Sequence, residues 1–200
     1  MRNVEILLKV LVSLKRYFGG DKLVNIDELI EFVTPYYQNK DIMHNLSHIE
    51  RVLKCANRLS KQTGVNVNID AITYAAYFHG FVYNEEEKIS KWLEKKLFLK
   101  DNIKFIIKIS WESLKEEMPE TFEGKILHDA HMIEGGRTYL VVKSLITGSV
   151  RGQTLEQTID YIEKNILEKG SCYLEESKLA YQQQQIFAKQ FIKDLKEGLE

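Results

Sequence analysis

Only two prolines, Pro35 and Pro119, interrupt the 200 residues, and apolar residues recur at helical spacing almost throughout. A chain patterned in this way is predicted to fold as a stack of amphipathic helices. Val4, Leu7, Leu8, Leu11, Leu14 and Phe18 define a first helix, stopped by Gly19-Gly20. A second is expected over residues 26–32, its pattern failing near Pro35. Ser47 with Glu50 three residues later reads as a capping box, which puts His48 at a helix start. That helix carries Val52, Cys55, Ala56 and Leu59 and ends near Gly64. Asp70 is suited to cap the next, over 71–79, which is apolar on nearly every side and reads as the buried central helix. Asn84 and the three glutamates after it open another, since acidic residues suit a first turn. Further helices are expected from Asp101 through Ile103, Ile106, Ile107 and Trp111, and over 124–133, ending at Gly135-Gly136. Thr154 with Gln157 makes a second capping box, and a long final helix covers about 174–195. Residues 65–69 alternate in polarity but are too few to build a sheet. The glutamines at 182–185 read as a hydrated helix face. The expected architecture is all-α, a bundle of eight to ten helices.

A hydrophobic content of 44% over this length suits one domain with an ample core. We divide it into an N-terminal helical extension (1–40), a central region (41–136) and C-terminal helices (137–200). Lys and Arg number 28 and Asp and Glu 29, leaving a net charge of −1. No global field favours nucleic acid or an anionic membrane. Cys55 and Cys172 lie far apart and outside any metal-binding spacing, so a reducing cytoplasm is the expected compartment. Glu5, Lys9 and Lys15 break the N-terminal apolar run, which argues against a signal peptide, and no run is long enough to span a membrane. The long amphipathic first and last helices could supply a homodimer contact.

The histidines carry the chemistry. A divalent metal in a hydrolase needs imidazole and carboxylate ligands from different helices, because one helix presents only i, i+3 and i+4 to a point. His48, His79 and Asp129 fall on three separate helices and could converge in this way. A histidine on an amphipathic helix is more often a core or boundary residue, so spacing alone does not establish a site.

Three segments in order strengthen the case. His44, His48, Arg51 and Val52 fit a His-x-x-x-His-x-x-Arg-Val pattern. Ala75, Ala76, His79 and Tyr83 fit Ala-Ala-x-x-His-Asp-x-x-Tyr, with Gly80 where the Asp belongs. Asp129-Ala130-His131-Met132-Ile133 with Gly135 is similar to an Asp-Ala-Asp segment. Over residues 41–136 the chain resembles the HD superfamily of metal-dependent phosphohydrolases. The resemblance implies an HD-domain-like helical bundle, a divalent metal held by His48, His79 and Asp129, and a phosphomonoester or nucleotide as substrate. It also implies impairment, because Gly80 supplies no carboxylate. Residues 106–111 lack a histidine that relatives often carry, and His131 stands where they often have the second Asp. Glu85 and Glu86 are candidates to replace the lost carboxylate or act as base, although an acidic first turn is their ordinary role. His44 and Arg51 are further candidates for the cleft; Arg51 could orient a phosphate or pair with a carboxylate. Two readings stay open: a working phosphohydrolase, or a pseudoenzyme kept as a ligand- or partner-binding module.

Overall fold

Side chains that accept a backbone N–H set several of the helix starts. In the computed structural model, which describes residues 26–200, α1 spans Ile26–Tyr37, α2 Leu46–Thr63, α3 Ile69–Phe78, α4 Val82–Lys95, α5 Lys100–Glu112, α6 Phe122–Ile133, α7 Tyr139–Val150, α8 Leu155–Asn165 and α9 Glu175–Leu199. The helix expected over residues 4–18 lies outside the described residues. Among the described residues there are nine helices and no strand, and 65–68 form a loop.

The caps differ in detail from the sequence expectation. Asn45, rather than Ser47, caps α2, its side-chain oxygen accepting from the Ser47 amide at 3.0 Å. His48 is therefore the third residue of the helix, still within its first turn. Asn68, rather than Asp70, caps α3 by accepting from Ala71 N at 3.0 Å. Asn, Asp and Ser are about equally good at this position, so both shifts stay within the residue types that cap well. Pro35 does not stop α1, which continues to Tyr37; the missing N–H costs one bond within the last turn. Helix α4 starts at Val82, with a non-helical backbone at Glu85 (φ −129°, ψ 20°). The Thr154–Gln157 capping box is formed.

Helix α3 is the hub. Ala71, Ile72 and every residue from Tyr74 to Phe78 are buried, and the helix packs against α1, α2, α5 and α6. Aromatic rings close its C-terminal end around Phe78: Phe32 stacks on Trp92 with centroids 4.8 Å apart, and Tyr36 on Phe81 at 4.0 Å. A second, smaller cluster joins Ile159 and Ile162 of α8 to Ile192 of α9, with Leu145 of α7 against it. Cys55 and Cys172 are free and buried. No described helix is long and apolar enough to cross a membrane.

A buried carboxylate docks α9. Asp129 of α6 is fully buried and accepts from Tyr173 N at 2.9 Å, Leu174 N at 2.8 Å and the Ser177 hydroxyl. Helix α9 has no side-chain cap of its own, so the amides leading into it need an outside acceptor. Removing that acceptor strands three donors away from water. Asp129→Ala is expected to lower stability by ~3 kcal/mol, read as a fall in the urea midpoint.

Candidate metal centre and cavity

Three histidines come together from three elements. His48 lies in the first turn of α2, His79 immediately after α3 and His131 in the last turn of α6. Their ring centroids are 5.4 Å (His48–His79), 5.1 Å (His48–His131) and 5.1 Å (His79–His131) apart. One nitrogen from each lies within 4.8 Å of the others.

Each ring is oriented by its Nδ1. His48 Nδ1 lies 2.8 Å from the Glu134 carboxylate, His79 Nδ1 2.6 Å from Ala76 O, and His131 Nδ1 3.3 Å from Ser113 O. All three partners are oxygens that accept, so Nδ1 carries the hydrogen and Nε2 keeps its lone pair. Burial pushes all three imidazoles below their usual pKa, His79 to about 4. The Lys143 charge adds to the effect at His48 and His131. At neutral pH the cluster therefore consists of three neutral nitrogen donors, a donor set that fits a divalent ion.

Glu134, just past α6, organises this region. It is 2% exposed and meets His48, Lys143 Nζ at 2.8 Å and Arg51 Nε at 3.6 Å. Gly135 follows with φ +68°, and the Tyr139 ring occupies the space beside it, 2.2 Å from where a Cβ would stand. That ring also lies under the Arg51 guanidinium, 5.2 Å away.

A cavity of about 210 Å³ opens beside His131 and Glu134, with Lys115, Lys143, Arg151 and Gln184 among its walls. The glutamine run is thus not a uniform hydrated face. Residues 182 and 183 are exposed, but Gln184 and Gln185 are buried at 2% and 6% exposure. Gln184 Nε2 donates to Gly136 O at 3.4 Å, and its carbonyl oxygen has no partner.

Several sequence expectations change. Asp129, expected beside His48 and His79, is not in the histidine cluster; its oxygens are saturated by the residues leading into α9. His131 stands there instead. Two residues along a helix is a rotation of ~200°, so Asp129 and His131 face opposite ways. Glu85 and Glu86 are not turned inward. Glu85 pairs with Lys88 at 2.7 Å, and Glu86 accepts from Trp111 Nε1 at 2.8 Å, which keeps both on the surface. His44 lines the cavity but gives its Nδ1 to Asp41 at 2.8 Å. Arg51 bonds Ser47 Oγ at 3.0 Å besides facing Glu134. Glu134, Lys143 and Lys40, and the cavity residues Lys115, Arg151 and Gln184, were not among the sequence candidates. Lys143 had a signal, being the one charged residue in the α7 sequence.

The corner at Gly80 is closed. Its carbonyl accepts from Lys40 Nζ at 2.7 Å, and its amide donates to the Tyr37 hydroxyl at 3.2 Å. A Cβ at this position would lie 2.5 Å from that hydroxyl and 3.0 Å from Lys40 Nζ. No side chain fits until Tyr37 moves.

Among solved structures, the chain is similar to Bacillus subtilis YpgQ in complex with ADP, with a TM-score of 0.68 at 15% identity over 87% of this chain and 97% of that one. An HD-superfamily hydrolase from Bacillus thuringiensis gives 0.67 at 20% identity over 87% and 96%. A Listeria innocua protein gives 0.64 at 22% identity over 88% and 98%. The chain shares the all-helical fold of these structures. No family model and no curated protein matches it.

Two outcomes follow from this geometry. An unfolded chain titrates its histidines near 6.5, whereas the folded His79 does so at about 4. As pH falls the unfolded chain binds the proton first, so this contribution to stability is complete above pH ~6.5 and is lost progressively towards pH ~4. The urea midpoint of metal-free protein should fall across that window, and His79→Gln should flatten the fall. Separately, Gly80→Ala should cost ~1–3 kcal/mol through overpacking. Adding Tyr37→Phe, which removes the nearest atom, should recover part of the loss in thermal unfolding.

Proposed function

We propose that the protein is a metal-dependent phosphohydrolase of low activity, acting on a small phosphorylated molecule of the nucleotide type. The observation that carries this reading is the meeting of three neutral imidazoles beside a cavity walled by Lys115, Lys143 and Arg151. The fold of an HD-superfamily hydrolase supports it, and the ADP bound to the structurally similar YpgQ supports the nucleotide class. A bound divalent ion supplies polarisation of a phosphoryl oxygen and a water of lowered pKa.

The chain's own residues do the rest. His48, His79 and His131 would hold the ion through Nε2. Lys143, on the cavity wall, neutralises phosphate charge, and Arg151 offers a planar guanidinium for its oxygens. Glu134 fixes the His48 tautomer and steadies Lys143. No base comes from position 80, and Glu134 is surrounded by three donors, which accounts for a low rate. Residues left exposed along α9, such as Leu179 and Ile186, are where a homodimer contact would form. Two free buried cysteines fit a reducing cytoplasm.

A second reading, a pseudoenzyme that binds such a ligand without turning it over, draws on the closed Gly80 corner. A panel of phosphomonoesters and nucleotides assayed with added divalent metals separates the two. The enzyme reading expects turnover that is abolished by His79→Ala and reduced ~100-fold in kcat/KM by Lys143→Ala. Calorimetric binding of ADP with no phosphate release under any metal would establish the second reading.

A further inference from the structure

Resting on the reading of the cleft as metal-dependent, we infer that its resident ion is of the zinc class, bound by an all-imidazole set, and that hard ions such as magnesium and manganese are poor occupants. Donor chemistry decides between these classes. Carboxylate, carbonyl and water oxygens suit magnesium, calcium and manganese, whereas imidazole nitrogens suit zinc, cobalt, nickel and copper. The cluster offers three nitrogens and no carboxylate.

Among the described residues, three routes to an oxygen ligand are closed. Asp129 is saturated by two amides and a hydroxyl. Glu134 cannot turn to an ion without leaving His48, Lys143 and Arg51. Position 80 has no side chain, and the Tyr37 hydroxyl and Lys40 ammonium fill its corner. The cation at Lys40 also adds repulsion where a second ion would need a carboxylate.

The nitrogens, by contrast, are prepared. Three oxygens accept the three Nδ1–H groups, which leaves Nε2 of each ring as its donor atom. A carboxylate behind one of three imidazoles is an arrangement that raises ligand basicity and fixes ring orientation. Three protein ligands leave a zinc-class ion with an open position for water or a phosphoryl oxygen. The site is therefore rebuilt around nitrogen, a different condition from a site that has lost one oxygen ligand.

Calorimetry on chelator-stripped, unmodified protein tests this directly. One equivalent of zinc or cobalt per chain should bind, with manganese and magnesium weaker by on the order of 100-fold or more. The cobalt form should show visible d–d bands of a low-coordinate nitrogen site. His131→Ala should lower zinc affinity by on the order of 100-fold, and His131→Asp should narrow the gap between zinc and manganese. Circular dichroism on both variants reports their folding, and the cobalt spectrum of the unmodified protein stands independently of either. Manganese binding as tightly as zinc overturns the inference, as does folded protein that binds no metal, or full zinc affinity in folded His131→Ala. Zinc binding without phosphoester turnover sustains this inference and defeats the enzyme reading; turnover supported best by manganese does the reverse.

Discussion

A carboxylate buried away from water must be ringed by donors, and Glu134 sets the terms for its whole neighbourhood. It stands just past α6 and is met by His48 and Arg51 from α2 and by Lys143 from α7. One side chain thereby ties three helices together at the edge of the cavity. The same contact decides which nitrogen of His48 keeps a lone pair. Packing and chemistry are not separable here, because the interaction that neutralises a buried charge also prepares a ligand.

The helical character of the fold was open to inspection in the sequence. Scarce proline and helical periodicity dictate an all-α bundle, and the run of Ala71, Ile72 and Tyr74 to Phe78 marks the central helix by its lack of a polar face. Helix starts were harder to place, because Ser47, Asn45, Asp70 and Asn68 are all competent caps and tertiary packing selects among them. Helix α7 carries no capping side chain, so its first residue has no sequence mark.

The site was legible in part for a related reason. His48 and His79 are placed by their segments. The third member depends on which face of α6 meets the cleft, and adjacent candidates on one helix differ only in rotation. The backbone amides of Tyr173 and Leu174, which claim Asp129, lie 44 and 45 residues further on. No local pattern encodes such a partnership. The glutamine run poses the same problem: identical residues at 182–185 divide between solvent and interior because the helix turns beneath them.

The crowding at Gly80 links it to two distant side chains. Two neighbours from the segment around α1, a phenolic oxygen and an ammonium group, occupy the volume a side chain would need. A side chain introduced there meets both groups at once, so its fit depends on how far Tyr37 and Lys40 give way. Positions 37 and 80 are therefore coupled, and a change at one alters what the other tolerates.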